Sequence, residues 1–183
     1  VKALREAKVH TAWLQPDEQH ESEVTAFAAA LLDDPDFVAD LERFAGPVWR
    51  AGALDSLAQV ALRLLAPGVP DIYQGSELWD LSLTDPDNRR PVDWDRRIAA
   101  LAELAARAEE GPALVADLAD RWTDGVIKLH VTRTGLELRR RDPELYAAGA
   151  YLPLAVAGPR AAHVVAFGRV RQGRWAIAVA LSD

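Results

Sequence analysis

The stretch Pro67-Gly68-Val69-Pro70-Asp71-Ile72-Tyr73-Gln74-Gly75-Ser76-Glu77 decides the reading of this chain, together with Asp85-Pro86-Asp87-Asn88-Arg89-Arg90-Pro91-Val92-Asp93-Trp94 shortly after it. Pro67, Gly68, Pro70 and Gly75 bracket Val69 to Gln74, so no helix runs through. The expectation is a short strand over residues 69–74. Its C-terminal end releases Tyr73, Gln74 and Glu77 into a loop, the end at which β/α proteins carry their functional groups.

Upstream, the pattern is helical. Val24, Phe27, Ala28 and Leu31 share one face of a segment opened by Pro16-Asp17-Glu18. Asp34-Pro35 ends that helix and starts another, with Phe37, Leu41 and Phe44 on its inner side. Gly46-Pro47 predicts a further interruption. A third helix then runs from about Val48 to Leu65, with Leu57, Ala61, Leu64 and Leu65 in the core, and Pro67-Gly68 stops it.

Downstream, Ile98, Leu101, Leu104 and Ala105 share a face, and Glu109-Glu110-Gly111-Pro112 ends their helix. Residues 126–141 fit two templates. Ile127, Leu129 and Val131 alternate as in a strand, whereas Leu129, Thr132, Arg133 and Leu136 suit a helix. Beyond Pro143 the runs Tyr151–Leu154, His163–Phe167 and Trp175–Val179 are of β type, with turns at Gly158-Pro159 and Gln172-Gly173. They predict an antiparallel sheet, and a domain boundary falls near Asp142.

Composition narrows the function. The 183 residues, 50% hydrophobic, suffice for a real core. The net charge of −7 argues against nucleic acid, which selects basic surfaces. Cysteine is absent, which excludes disulfides and thiolate metal sites. No apolar run approaches the ~20 residues of a membrane span. No cofactor is expected, and no metal. His20-Glu21 does not open a His-Glu-x-x-His motif, since Val24 stands at its last position. The Asp85-to-Asn88 cluster lacks the glycine and late glutamate of a calcium loop.

The polar residues of the quoted stretches carry the chemistry. Tyr73 is placed either to stack on a ligand ring or to plug the fold. Gln74 serves either a ligand's polar groups or the loop backbone. Asp85, Asp87, Asn88, Arg89 and Arg90 form the densest polar cluster, either a ligand-orienting network or a salt-bridged turn. Trp13, Trp79 and Trp94 flank these segments and offer aromatic faces, while Trp49, Trp122 and Trp175 read as core.

The Gly-x-Pro-x-x-Tyr-x-Gly-x-Glu pattern at Gly68–Glu77 resembles the eighth-strand signature of the α-amylase superfamily of glycoside hydrolases. The longer run through Leu78-Trp79-Asp80, then Asp85–Asp93, resembles the maltooligosyltrehalose synthase family within it. Lys2–Lys8 with Thr11-Ala12-Trp13 resembles that family's segment before the last barrel strand, and Leu138–Leu145 with Gly149-Ala150-Tyr151 its exit from the barrel. The resemblance implies an α/β fold: residues 1–142 as the C-terminal portion of a (β/α)8 barrel, mostly helical, and 143–183 as the truncated start of an antiparallel β-sandwich domain. It favours a helix at 126–141. A barrel typically needs ~250 residues, so the chain reads as an internal piece of a longer, cytoplasmic protein.

The resemblance also implies the chemistry. A retaining carboxylate pair cleaves the reducing-end α-1,4 bond of a maltooligosaccharide, and the freed glucose returns to form an α,α-1,1 link. The nucleophile and acid/base are expected upstream of Val1, which leaves no catalytic residue here. Tyr73, Gln74, Asp85, Asn88 and Arg89 are the expected substrate-binding residues, and Glu77 is expected to brace the loop. The expected partners are the maltooligosaccharide and the remainder of the same catalytic domain, with neither nucleic acid nor membrane. Two other readings compete: a different member of the superfamily, of amylosucrase or α-1,6-glucosidase type, and a non-catalytic carbohydrate-binding module.

Overall fold

A computed structural model describes residues 1–82 and 90–181. The chain divides into two compact units, Val1–Gly52 and Ala53–Asp183. The first holds helix α1 (Lys2–Ala7), helix α2 (Glu18–Asp33) and the start of helix α3 (Pro35–Leu65). The second holds the rest of α3, then α4 (Trp94–Ala106), α5 (Pro112–Asp120), α6 (Val126–Arg141) and α7 (Pro143–Ala148). Three strands follow: β1 (Ala150–Pro153), β2 (Val164–Arg171) and β3 (Arg174–Leu181). Asp142 lies inside this second unit.

In the first unit, Asp17 caps α2 by accepting the amide of His20 at 3.0 Å. Asp34 separates α2 from α3. Its Oδ1 accepts the amides of Asp36 and Phe37, and Pro35 opens the new helix where a missing N–H is harmless. Helix α3 then continues through Gly46-Pro47, contrary to the predicted break. Proline removes one bond, the one its own N–H would donate, and the turns on either side carry the helix past it. Phe27, Phe44 and Trp49 are exposed, so the expected inner faces of α2 and early α3, and a core place for Trp49, are not realised. No other element of the unit covers them.

The second unit packs around Leu78, Ala100, Leu104, Leu114, Leu118, Val126, Ile127 and Leu129, with Leu57 and Trp122 against them. Leu64 and Val60 are buried in the last turns of α3, near their predicted places. Gly135 of α6 lies against Leu64: a methyl there would come within 2.6 Å of Leu64 Cδ1 and 3.1 Å of its Cβ. Residues 126–141 are therefore the helix of the two alternatives, with Leu129, Thr132 and Gly135 on its buried face. In α4 the inward residues are Ala100 and Leu104, and Ile98 points outward at 63% exposure. Leu104 pairs with Ala100 at i, i−4, which turns Ile98 away from the core. Helix α5 has no counterpart in the expected elements.

Residues 69–74 are not the predicted strand. The segment is irregular up to a turn at Gln74–Glu77, and no strand of the described residues lies beside it. A strand exists only through its ladder partner. The sheet lies later, three antiparallel strands in the order β1-β2-β3. Ala150 pairs with Val170, and Val164 with Leu181. Gln172 (φ 50°) and Gly173 (φ 78°) form the two-residue hairpin turn between β2 and β3. Positive φ at both positions matches the twist of the flanking strands. One face packs under α7 through Phe167 and Arg169. The other carries Leu152, Trp175, Ile177 and Val179, all exposed, so Trp175 is not core; its ring lies over Gly168.

Gly135→Ala tests the α3–α6 contact. Leu64 is fully buried and cannot move aside freely, so overpacking is expected to destabilise the protein by about 1–3 kcal/mol. The urea midpoint should fall with an unchanged slope.

Candidate functional site

The turn at Gln74–Glu77 is held from three sides. Arg97 of α4 donates from Nε to Glu77 Oε2 at 2.8 Å, from Nη2 to the Gly75 carbonyl at 2.6 Å and from Nη1 to the Asp93 carbonyl at 3.0 Å. Glu77 Oε2 also accepts the Gly75 amide at 3.0 Å. Glu77 is thus the brace of this loop, the part expected of it. The next residue, Leu78, is buried in the core. Lys128 Nζ donates to the Leu78 carbonyl at 3.3 Å and sits 5.5 Å from the Trp79 ring centroid. Burial pushes the Lys128 ammonium below its usual value.

Trp79 completes the anchor. Its indole N–H donates to the Trp122 carbonyl at 2.6 Å, and the two rings meet edge to face at 6.4 Å. Trp79 therefore packs against the core and offers no open face to a sugar. Gly125, at φ 81°, passes beneath: a methyl there would lie 2.9 Å from the Trp79 amide nitrogen. Glycine meets both demands at that point, the left-handed backbone and the close approach.

What this frame presents outward is Tyr73 and Gln74, both exposed. Tyr73 does not plug the fold; its carbonyl accepts the Ser76 hydroxyl at 2.6 Å. Asp85, Asp87, Asn88 and Arg89 lie outside the described residues. Asp93 caps α4 by accepting the Arg96 amide at 2.9 Å. Asp80 receives Ser82, whose hydroxyl and amide hold its carboxyl below the usual range.

Beside the loop lies a cleft of about 460 Å³. Ile72, Leu101, Leu129 and Leu136 make its apolar wall, and Arg133, Glu137, Arg140 and Glu77 its charged rim. Arg133 pairs with Glu137 at 2.9 Å.

A second polar centre, missed in the sequence, lies in the first unit. Glu21 is buried and accepts both Arg5 Nε and Nη2 at 2.7 Å, and the Thr11 hydroxyl at 2.6 Å. Thr11 Oγ1 in turn accepts the Asp17 amide at 2.9 Å. Arg5 first, then Thr11, hold the Glu21 carboxyl down to about 2. The sequence signal is slight: one acid on a face otherwise set by apolar spacing. The His10 and His20 rings meet at 5.0 Å, tilted by 53°; among the described residues no group of acids or histidines could hold a metal.

Known proteins resemble the chain along its whole length. Solved enzyme structures give the class first. The maltooligosyltrehalose synthase of Arthrobacter ramosus superposes with a TM-score of 0.76 at 36% identity, over 99% of this chain and 22% of that one. A Sulfolobus tokodaii protein assigned as a maltooligosyl trehalose synthase superposes with a TM-score of 0.77 at 34% identity, over 100% of this chain and 23% of that one. The particular likeness follows in sequence. A Mycobacterium tuberculosis protein assigned as maltooligosyl trehalose synthase is 41% identical over 181 residues, 96% of this chain. The chain is thus a relative of the maltooligosyl trehalose synthases, as its motifs suggest, and it spans about a fifth of the length of the curated relatives it matches. No family model matches it. No helix of the described residues is long and apolar enough to cross a membrane.

Glu21 sets an acid limit on stability. A carboxyl whose pKa is lowered on folding adds stability that is complete above its unfolded value, 4.5, and is lost as pH falls through about 2. Thermal melts from pH 6 to pH 2 should show this loss, and Glu21→Gln should be less stable at neutral pH and flatter across the acid limb.

Proposed function

We propose that this chain is the C-terminal portion of the catalytic barrel of a cytoplasmic maltooligosyltrehalose synthase, followed from residue 143 by the start of its C-terminal β domain. The carrying observation is 41% identity over 96% of the chain to one such protein. Two structural features support the barrel. Residues 69–72 form no regular element and pair with no strand of the described residues, and the cleft next to them is walled by Ile72, Leu101, Leu129 and Leu136. Unpaired backbone and apolar wall both need cover. A neighbouring strand and its helix supply it. The open sheet face of Leu152, Trp175, Ile177 and Val179 calls for a second β layer in the same way.

The enzyme acts on the reducing end of a maltooligosaccharide. A carboxylate attacks the anomeric carbon of the penultimate glucose while a carboxylic acid protonates the departing oxygen of the last one. The released glucose stays bound and turns. Its anomeric hydroxyl, deprotonated by the former acid, then attacks the glycosyl-enzyme and expels the carboxylate. The product is an α,α-1,1-linked maltooligosyltrehalose. The carboxylate pair belongs to the part of the relatives that this chain does not cover.

The braced loop is the wall of the site. Tyr73 stacks on a glucose ring, Gln74 bonds its hydroxyls, and Asp85, Asn88 and Arg89 hold the freed glucose while water is kept out. The bracing by Arg97, Lys128 and Trp122 fits this role, because a wall that retains a glucose must not move with it.

The complete polypeptide, given maltopentaose, should yield a product with no reducing end and little free glucose, whereas the 183-residue chain alone should yield none. Turnover by the chain alone, or simple hydrolysis by the complete polypeptide, overturns the proposal. In the complete polypeptide, Arg89→Ala removes a charged donor worth about 1–3 kcal/mol. It should raise the ratio of free glucose to trehalose-type product, read by chromatography. An unchanged ratio in a folded variant assigns Arg89 to the loop's structure instead.

A further inference from the structure

Residues 12–15 form a closed turn. The Ala12 amide donates to the Gln15 carbonyl at 3.1 Å, and the Gln15 amide to the Ala12 carbonyl at 3.2 Å. The two residues at its tip are Trp13 and Leu14. Turn tips favour glycine, proline, asparagine and aspartate, whose backbones and side chains satisfy the bend. This one places two large apolar side chains in solvent, Trp13 at 51% exposure and Leu14 at 96%. A local rule broken in this way, with no packing gain within the unit, points to binding.

Trp13 is also fixed, which a stray surface aromatic is not. Its indole N–H donates to Glu6 Oε1 at 3.0 Å. The Arg5 guanidinium lies 5.3 Å from the ring centroid, covering the indole by a cation–π contact. Arg5 is itself held by both oxygens of buried Glu21, and Glu21 by Thr11. Hydrogen bonds from the interior fix Arg5, and its cation–π contact together with the Glu6 hydrogen bond sets the plane of an exposed ring. Ring and edge are held before any ligand arrives, so little side-chain entropy is lost on binding.

We infer that Trp13, flanked by Leu14, is a stacking platform for a pyranose ring of an α-1,4-glucan. A sugar ring presents a face of C–H groups and an edge of hydroxyls. The electron-rich indole face receives the C–H groups. Glu6, already at the ring edge, has a second carboxylate oxygen for a hydroxyl. A fixed ring with a carboxylate at its edge matches the two sides of a sugar, its C–H face and its hydroxyl edge. The choice of an α-1,4-glucan rests on the function proposed above.

The test uses the complete polypeptide, as wild type, Trp13→Ala, Trp13→Phe and Leu14→Ala, with maltoheptaose followed by calorimetry and by conversion. Losing one stacking contact should raise Kd and KM about tenfold, with kcat and the melting temperature held. Trp13→Phe should recover most of the affinity, and Leu14→Ala should weaken binding by a smaller factor. Should Trp13→Ala fail to fold, the Phe and Leu14 variants decide: unchanged Kd in Leu14→Ala together with a lowered melting temperature in Trp13→Phe identifies a packing residue and overturns the inference. Unchanged Kd and KM in a folded Trp13→Ala overturn it as well. Wild type that binds maltoheptaose through Trp13 without isomerising it supports the platform and refutes the synthase reading; wild type that isomerises it with Trp13-independent affinity does the reverse.

Discussion

Two arginines hold the end of helix α3, and the second unit depends on them. A helix leaves its last carbonyls without internal partners, and buried carbonyls must find others. Arg139 of α6 donates to the carbonyls of Leu64 at 2.8 Å and Gly68 at 2.7 Å. Arg169 of β2, which is fully buried, reaches the Leu65 carbonyl at 3.5 Å and those of Tyr146 and Gly149 at 2.9 Å. Among the described residues its hydrogen-bond partners are all carbonyls, and the negative ends of α3 and α7 take its charge. Burial lowers its pKa, and Arg139 nearby adds to that. The Arg139 guanidinium also lies 5.2 Å from the Tyr146 ring centroid. One polar cluster therefore ties α3, α6, α7 and the sheet together.

The loop of interest starts where this cluster ends. Gly68 is held by Arg139, and only a few residues later Arg97 takes the Gly75 carbonyl and Glu77. Leu78 and Trp79 then pin the chain to the start of α6. Between those fixed points Tyr73 and Gln74 stand free. Rigidity on both sides and exposure in the middle are what a binding wall needs, and both arise from backbone carbonyls meeting cationic side chains.

Much of this was legible in the sequence. Asp34-Pro35, Pro67-Gly68 and Gln172-Gly173 were read correctly because each acts locally, through a cap, a stop or a positive φ. Gly46-Pro47 was not: it lies inside a helix whose neighbouring turns outweigh one lost bond. Gly111-Pro112 closes the stretch after α4 as expected, and its proline also opens α5, the start that the spacing did not give. Residues 126–141 were undecidable by spacing alone and became a helix through Leu129, Thr132 and Gly135, whose shared face meets α3 and the core. The tryptophans misled for a related reason: size says that a ring wants cover and not which cover exists. Trp79 found the Trp122 carbonyl, Trp175 lies over Gly168 on an open sheet face, and Trp49 stays exposed. At the site, Glu77's bracing role followed from the family resemblance, and its partners, the Gly75 amide and Arg97, show only in the structure. Tyr73 and Gln74 stand exposed.

The arginine clamp also joins parts of this unit that lie far apart in sequence. The β2–β3 hairpin pairs neighbours across a two-residue turn and needs no distant partner, so it closes within microseconds, about 1–10 μs for an isolated hairpin. Arg169 sits on that hairpin, yet its partner Leu65 is 104 residues away. Bringing the two together closes a long loop, whose entropy must be lost before the contact returns anything. The contact between β2 and the end of α3 therefore carries a larger loop-closure cost than the hairpin that holds Arg169, and the shorter-range bonds of Arg139 to Leu64 and Gly68 share the task of fixing that end.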